Sequence, residues 1–161
     1  MKLFTRYYES PIGILEISGT DTYLTRVAFQ ESVKKAAPPL PMTTQSCPPI
    51  DACIQQLTEY FAGNRQQFDL PIQHQGTPFQ LSVWKALETI PFGRTISYLG
   101  IARQIGNEKS VRAVGMTNGN NQFGIIVPCH RVIGSKGNLV GYAGDIWRKE
   151  FLLEHERKVY P

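Results

Sequence analysis

Apolar and polar residues alternate over the first part of the chain. In "YYESPIGILEISGTDTYLTRVAF", short β-branched stretches are separated by Pro-Ile-Gly and Gly-Thr-Asp, which favour turns. This pattern predicts two or three antiparallel strands joined by hairpins. Residues 36–49 are rich in proline and have no periodicity, which predicts a mobile loop.

A helical period follows. Ile50, Cys53, Ile54, Leu57 and Phe61 recur at the i, i+3, i+4, i+7 spacing of an amphipathic helix, and Gly63 is placed to end it. Cys53 on this stripe is interpreted as a small core residue. Residues 69–72 are a candidate closing strand. The first half is therefore predicted to be a small α/β lobe.

The second half begins with a helix signal at Thr77. In "TPFQLSVWKALETIP" a threonine cap and a proline at the first helical position precede an apolar face. That face consists of Phe79, Val83, Trp84 and Leu87. "SYLGIARQIG" predicts a further short helix from about Ser97 to Gly106.

A second short helix is predicted from about Ser110, with Val111 and Val114 facing inward and Arg112 facing outward. Two short helices joined by a tight turn are typical of a helix-turn-helix, although many helical hairpins bind nothing. "DIWRKEFLLEHE" predicts a closing helix, with Trp147, Phe151 and Leu152 facing inward.

Composition narrows the class of protein. The 161 residues suffice for one domain or two small lobes, and 42% hydrophobic with 19% charged residues is typical of soluble globular proteins. No apolar run approaches the roughly 18 residues of a membrane span, and no signal-peptide core follows the start, which favours a cytoplasmic protein. After His74, eleven Lys and Arg stand against six Asp and Glu, a difference of +5. Such a surplus fits a polyanionic partner and equally fits simple solvation.

The stretch "IIVPCHRVIG", residues 125–134, combines an apolar run, interpreted as a buried strand, with Cys129 and His130. A cysteine beside a proline is commonly only a small core residue. A thiol of pKa about 8.5 needs a base to act as a nucleophile, and His130 is adjacent. Since neighbours on an extended segment point to opposite sides, a bridging water is expected. Glu154 or Glu156 could orient the imidazole, His155 competes with His130, and the spacing does not choose. The residues alone predict a Cys–His–acid nucleophile without a substrate.

Four stretches carry a resemblance to a known family. "GTPFQLSVWKALETIPFGRTISYLGIARQIG", "VRAVGMTNGNN", "PCHRVIG" and "GYAGDIWRKEFLLEHE" resemble the O6-alkylguanine-DNA alkyltransferases, almost without a gap from Gly76 to Glu156. The first half is similar more loosely, chiefly in "SPIG" and "EYFAG". The resemblance implies an α+β fold. A small amino-terminal α/β domain (1–75), ribonuclease-H-like with antiparallel strands and a helix, would pack on a mostly helical domain (76–161) that contains the helix-turn-helix and the alkyl acceptor.

The same resemblance implies DNA repair. The alkyl group of O6-alkylguanine in duplex DNA would move irreversibly to Cys129, once per molecule, with O4-alkylthymine as a further candidate substrate. His130 would be the base, acting through a water, and the match to the family's final His-Glu selects Glu156 behind it. Asn121 matches the asparagine that connects the helix-turn-helix to the active-site loop.

Roles in substrate and DNA binding are implied as well. Tyr98 would turn a phosphate and donate toward guanine N3, Tyr142 would form a pocket wall, and the backbone at Ala143 would face O6. Arg112 would enter the base stack in place of the extruded guanine. Gly115 and Ser135 are the further expected DNA contacts.

Partners and rival functions follow from the same comparison. Cys47 and Cys53 do not match the zinc ligands of some relatives, so we expect no metal, and no cofactor. Double-stranded DNA is the expected partner of a monomer that has no obligate protein partner and does not contact membranes. The alternatives are a non-catalytic helix-turn-helix module that recognises lesions and a cysteine hydrolase that turns over repeatedly.

Overall fold

The computed structural model describes residues 2–30, 45, 47–140, 142 and 145–160. The chain divides into two compact units, Met1–His74 and Gln75–Pro161, which we call the first and the second unit. The loop predicted over residues 36–49 lies mostly outside the described residues. The architecture is α+β.

Three antiparallel strands form the sheet of the first unit, as predicted. They are β1 (Phe4–Ser10), β2 (Gly13–Gly19) and β3 (Leu24–Phe29), in the order β1-β2-β3. A tight hairpin pairs Ser10 with Gly13, whose φ of 122° is the left-handed range that favours glycine. Apolar side chains at alternate positions of β2 are fully buried, which fixes the register of the sheet.

Helix α1 (Pro48–Phe61) begins earlier than predicted. Pro48 and Pro49 belong to its first turn and not to the predicted loop. The N–H groups of the first helical turn have no acceptor within the helix, so a proline there costs no hydrogen bond. Ile50, Cys53, Leu57 and Tyr60 are buried, and Gly63 adopts a φ of 83° just beyond the end.

The closing strand predicted over residues 69–72 is wrong. Ile72 forms only an isolated parallel bridge with Leu24. Pro71 has no N–H to contribute to a ladder, so pairing cannot extend through it.

Four helices build the second unit: α2 (Pro78–Leu87), α3 (Tyr98–Gln104), α4 (Val111–Gly119) and α5 (Ile146–Val159). The predicted cap of α2 is confirmed, since the Thr77 side chain accepts a hydrogen bond from the Gln80 N–H while Gln80 Oε1 accepts one from the Thr77 N–H. Between α3 and α4 lies a 3-10 turn, Glu108–Ser110. Two short strands, β4 (Ile96–Ser97) and β5 (Val132–Ile133), pair in parallel.

Three side chains predicted to face inward do not. Val111 is 36% exposed, Trp147 52% and Phe151 39%. Val111 is the first residue of α4, ahead of the turn that contacts the core, whereas Val114 is fully buried. On α5 the buried positions are Arg148, Lys149, Leu152 and Glu156, because charged groups on this face find partners inside the unit.

The buried strand predicted at residues 125–127 is a turn. Ile125 has a φ of 70°, and the Val127 N–H donates to the Phe123 carbonyl at 2.9 Å. The run is apolar because it is buried, not because it is extended. Within the described part of the chain, no helix is long and apolar enough to cross a membrane.

Candidate active site

Cys129 opens a short 3-10 turn, Cys129–Arg131, which we call the reactive turn. Its side chain is buried, and its N–H donates to the carbonyl of Val127 at 2.8 Å. From α4, Asn118 Nδ2 donates to the Cys129 carbonyl at 3.2 Å. The main chain around the thiol is therefore held on both sides.

Asn121 closes the turn that leads to Cys129. Its Nδ2 donates to the carbonyls of Val127 (2.8 Å) and Phe123 (3.1 Å), and its Oδ1 accepts from the Phe123 N–H (3.1 Å). A β-branched residue with positive φ is strained, at a cost of about 1–3 kcal/mol. These hydrogen bonds hold Ile125 in that conformation.

The thiol of Cys129 is protonated at rest. Burial raises its pKa above the ordinary value, while a hydrogen bond from Asn121, the charge of Lys149 and the N–H groups of the reactive turn act in the opposite direction. Since burial prevails, the thiolate forms only when a base takes the proton.

His130, the next residue of the reactive turn, is the candidate base. Its Nε2 lies 2.6 Å from Oε2 of Glu156, and both side chains are buried. Burial lowers the pKa of His130 below its ordinary value despite the carboxylate, so the imidazole is neutral at pH 7. With Nε2–H donating to Glu156, Nδ1 carries the lone pair. That atom is buried and has no hydrogen-bond partner among the residues that the structure describes.

Glu156 is an ionised carboxylate with several donors. It accepts from Arg131 Nε (2.8 Å) and Nη2 (3.1 Å) and from the Gly93 N–H (3.2 Å), in addition to His130. Burial alone raises the pKa of Glu156, but His130 and Arg131 outweigh it and bring the pKa well below the ordinary value. Of the acids that the sequence left open, Glu156 contacts the imidazole, whereas Glu154 pairs with Arg157 on the surface.

Tyr98, the first residue of α3, meets a buried lysine from α5. Its hydroxyl donates to the Val140 carbonyl at 2.6 Å, and Lys149 Nζ lies 3.4 Å from the same hydroxyl. Lys149 also donates to the carbonyls of Val132 and Val140. Burial lowers its pKa to about 8, and its charge acts on the Cys129 thiol.

Sequence reasoning missed Lys149, Arg131 and Asn118. A signal for the first was present: Lys149, Leu152 and Glu156 follow the i, i+3, i+7 spacing of a single helix face. Asn118 contacts the Cys129 carbonyl, and Arg131 contacts the Glu156 carboxylate. Only the fold brings these groups together, so no spacing rule identifies either residue.

The remaining predicted residues are spread around the site. The hydroxyl of Tyr142 is buried and has no hydrogen-bond partner within the described ranges. Its pKa is raised well above the ordinary value, first by burial and then by the negative charge that Cys129 carries when it is ionised. Ala143 lies outside the described residues. Arg112 and Ser135 are exposed, whereas Gly115 faces inward, since a Cβ there would lie 3.9 Å from the Tyr98 ring.

The other two cysteines lie in the first unit. Cys47 Sγ donates to the Thr20 carbonyl, and burial raises the pKa of Cys53 to about 12. The described residues hold no group of three or more His, Cys, Asp or Glu side chains arranged to bind a metal.

Two family models match the chain. The DNA-binding domain of 6-O-methylguanine DNA methyltransferase matches residues 78–158, and the ribonuclease-like domain of the same family matches residues 3–74. Together they span both units.

Known relatives and solved structures indicate the same family as the two family models. The chain is 44% identical over 161 residues to the constitutive methylated-DNA–protein-cysteine methyltransferase of Bacillus subtilis, with 94% of each chain covered. It is 44% identical over 154 residues to the Methanosarcina acetivorans protein of the same name, covering 96% of this chain and 98% of that protein. The crystal structure of Mycobacterium tuberculosis OGT in complex with DNA aligns with a TM-score of 0.87 and 44% identity, over 98% of this chain and 95% of that one. The resemblance and the α+β fold class predicted from the sequence are confirmed, and the chain belongs to the 6-O-methylguanine DNA methyltransferase family.

Proposed function

We propose that this protein repairs DNA by transferring the alkyl group of O6-alkylguanine to Cys129. The observation that carries the proposal is the buried contact of His130 with Glu156 directly after a buried cysteine, in a chain of this family. The reaction class is that of a methylated-DNA–protein-cysteine methyltransferase, the name of the relatives. The partner is duplex DNA.

The first step is proton transfer from the thiol. Neutral His130 accepts the Cys129 proton at Nδ1, through a water, and the resulting imidazolium is stabilised by ionised Glu156 through Nε2–H. Asn121 and Lys149 stabilise the thiolate that remains, since both favour the charged form of Cys129. The nucleophile is thus formed among buried side chains.

The second step is an in-line displacement. The thiolate forms a bond to the alkyl carbon, the bond from that carbon to O6 breaks, and its electron pair passes to the guanine. The Tyr98 hydroxyl, which donates to the Val140 carbonyl in the absence of DNA, gives up that hydrogen bond and protonates guanine N3. The base then leaves neutral, and the imidazolium proton restores the tyrosine. The product is a thioether, which water does not cleave, so each molecule acts once.

DNA binding is assigned to α3 and α4, which form the helix-turn-helix. Arg112 is exposed near the start of α4 and fills the space left by the extruded guanine. Ser135, which is exposed, is a further residue assigned to DNA binding. Gly115 is assigned to the DNA contact as well. Tyr142 and the backbone at Ala143 form the base pocket.

We assign alkyl acceptance and DNA binding to residues 76–161 and a ribonuclease-like α/β domain to residues 1–75. The extents of the two family models, 78–158 and 3–74, support this division. A cytoplasmic location and a monomeric state complete the proposal. The three unpaired cysteine thiols agree with a reducing compartment.

The test is incubation with a duplex that carries a labelled methyl group on O6 of one guanine. Label on Cys129, at no more than one per protein, supports the proposal, and Cys129→Ser is the control that takes up none. Binding of the lesion without transfer would instead favour the non-catalytic DNA-binding module. Repeated release of product would favour a hydrolase. An O4-methylthymine duplex in the same assay tests the second candidate substrate.

A further inference from the structure

We propose that Arg131 is a positioning residue for the reaction: by occupying both oxygens of Glu156, it keeps the imidazole of His130 uncharged and able to take the thiol proton. The inference rests on the proposed function of the same site. It concerns a residue whose side chain contacts the carboxylate of Glu156.

The contact is a two-point one. Arg131 Nε lies 2.8 Å from Oε1 and Nη2 lies 3.1 Å from Oε2 of Glu156. The same Oε2 also lies 2.6 Å from Nε2 of His130. All three side chains are buried, so water does not screen the charges. The guanidinium is permanently charged, because arginine is not deprotonated in proteins.

A buried carboxylate with histidine as its sole partner favours the imidazolium, since an opposite charge nearby stabilises the charged form. An imidazolium cannot accept a proton, so such a pair has no base at neutral pH. The guanidinium changes this balance. With Arg131 and Glu156 already neutral as a pair, protonation of His130 adds a net positive charge to a buried cluster, which is unfavourable.

The charges that face His130 come from two elements. From the reactive turn itself come Arg131 and the Cys129 thiol, and from α5 come Glu156 and Lys149. Glu156 favours the imidazolium, whereas Arg131 and Lys149 oppose it. Of the two opposing cations, Arg131 is the one that touches the carboxylate, and it is therefore placed to cancel the effect of Glu156.

Arg131 is fixed from outside the pair as well. Its Nη1 donates to the Ile90 carbonyl at 2.7 Å, and its guanidinium lies 5.6 Å from the centre of the Phe92 ring. The segment after α2 therefore holds the guanidinium in place. The neighbouring Gly93 N–H donates to Oε1, so the same segment anchors both members of the ion pair.

The experiment compares wild type with Arg131→Met, which removes the charge, and Arg131→Lys, which keeps it but loses the two-point contact. The rate of alkyl transfer from O6-benzylguanine is measured from pH 5.5 to 9. Nitrogen NMR of the His130 imidazole is recorded over the same range. Arg157→Met, an exposed arginine of α5 paired with Glu154, is the matched control.

We expect the acidic limb of the rate profile to move to higher pH by about one unit in Arg131→Met, which is a roughly tenfold change in the protonation equilibrium of His130. Arg131→Lys moves it by less than half as much, and Arg157→Met does not move it. In wild type, the His130 imidazole is neutral at pH 7.

An unchanged limb in Arg131→Met, or an equal shift in both Arg131 variants, would overturn the inference. If Arg131→Met does not fold, the wild-type titration decides, because an imidazolium at pH 7 contradicts the proposal and a neutral imidazole supports it. The NMR readout needs no alkyl transfer. Wild-type protein that transfers nothing therefore refutes the proposed function, while an unaltered titration in an active variant refutes only the role of Arg131.

Discussion

Asn118 donates a hydrogen bond from Nδ2 to the carbonyl oxygen of Cys129, over 3.2 Å, in the interior of the second unit. The helix assigned to DNA binding is therefore joined directly to the main chain of the acceptor residue. Arg112 on the exposed side of α4 and Asn118 on its buried side belong to the same rigid element.

We expect Asn118→Leu to destabilise the protein by about 1–3 kcal/mol, since the Cys129 carbonyl loses its side-chain donor inside the protein. Alkyl transfer from duplex DNA slows as well, because the reactive turn is no longer held against α4. Chemical denaturation and single-turnover kinetics measure the two effects. Asn120→Leu, at the exposed end of α4, is the control, and an equal loss there would contradict the assigned contact.

Glu156 and Glu154 provide a matched pair on one helix. Replacing Glu156 by Gln removes the charge that stabilises the imidazolium, so transfer is expected to slow by about 10²–10⁴-fold. Glu154→Gln removes only a surface ion pair with Arg157 and leaves the rate unchanged. Rates are compared at equal folded fraction, determined by circular dichroism. Similar rates for the two variants would argue against the His130–Glu156 pair.

Stability should fall with falling pH in two stages. His130 has a lowered pKa in the folded state, so below its ordinary value of 6.5 the unfolded chain binds a proton that the folded protein does not. Glu156 also has a lowered pKa, and its contribution is present above its ordinary value of 4.5 and is lost as the pH falls below it. Denaturant unfolding between pH 8 and 3 measures how the free energy of unfolding depends on pH. Stability that is constant from pH 7 to 5 would contradict a neutral His130.

Lys149 makes a prediction of the same sign at high pH, where its contribution to stability should rise with pH. Burial brings the pKa of Lys149 from an ordinary 10.5 to about 8 in the folded protein. Between pH 8 and 10.5 the unfolded chain therefore holds a proton that the folded protein has lost. The free energy of unfolding of wild type minus that of Lys149→Met should therefore rise between pH 8 and 10.5, by at most about 3 kcal/mol. Lys158→Met, at an exposed lysine of the same helix, is the matched control. A flat difference for Lys149 would mean that it titrates like a surface lysine.

Arg112→Ala separates DNA recognition from chemistry. If Arg112 fills the base stack, repair of O6-methylguanine in a duplex weakens more than tenfold, while reaction with O6-benzylguanine in solution stays close to wild type. Lys109→Ala, an exposed cation just before α4, is the control for loss of charge alone. Equal losses with both substrates would refute the assigned role of Arg112.

The sequence predicted the elements whose signals are local. The strands of the first unit, the cap at Thr77 and the two short helices around residues 97–119 follow from turn residues, caps and periodicity. Prediction failed where a run of apolar residues is buried without forming a strand or a helix. Residues 125–127 are apolar but form a turn, because Asn121 supplies the hydrogen bonds that a strand partner would otherwise give.

The buried face of α5 shows a second reason why prediction from the sequence failed. Trp147 and Phe151 are its aromatic residues, and hydrophobicity alone predicts that they face inward, yet both are exposed. The helix buries Lys149 and Glu156 instead, because Val132, Val140, His130 and Arg131 supply hydrogen-bond partners from elsewhere in the fold. The i, i+3, i+7 spacing places Lys149 and Glu156 on one face of the helix, but it does not show that distant residues make burial of this face favourable.

The position of α5 after the reactive turn has a consequence for synthesis of the protein. Cys129 leaves the ribosome before Lys149 and Glu156, so a growing chain carries the cysteine without the carboxylate that supports its base or the cation that favours its thiolate. We therefore expect an unfinished chain to react slowly with alkyl donors. The proposed nucleophile depends on α5, so a protein that acts only once keeps its thiol until that helix has formed.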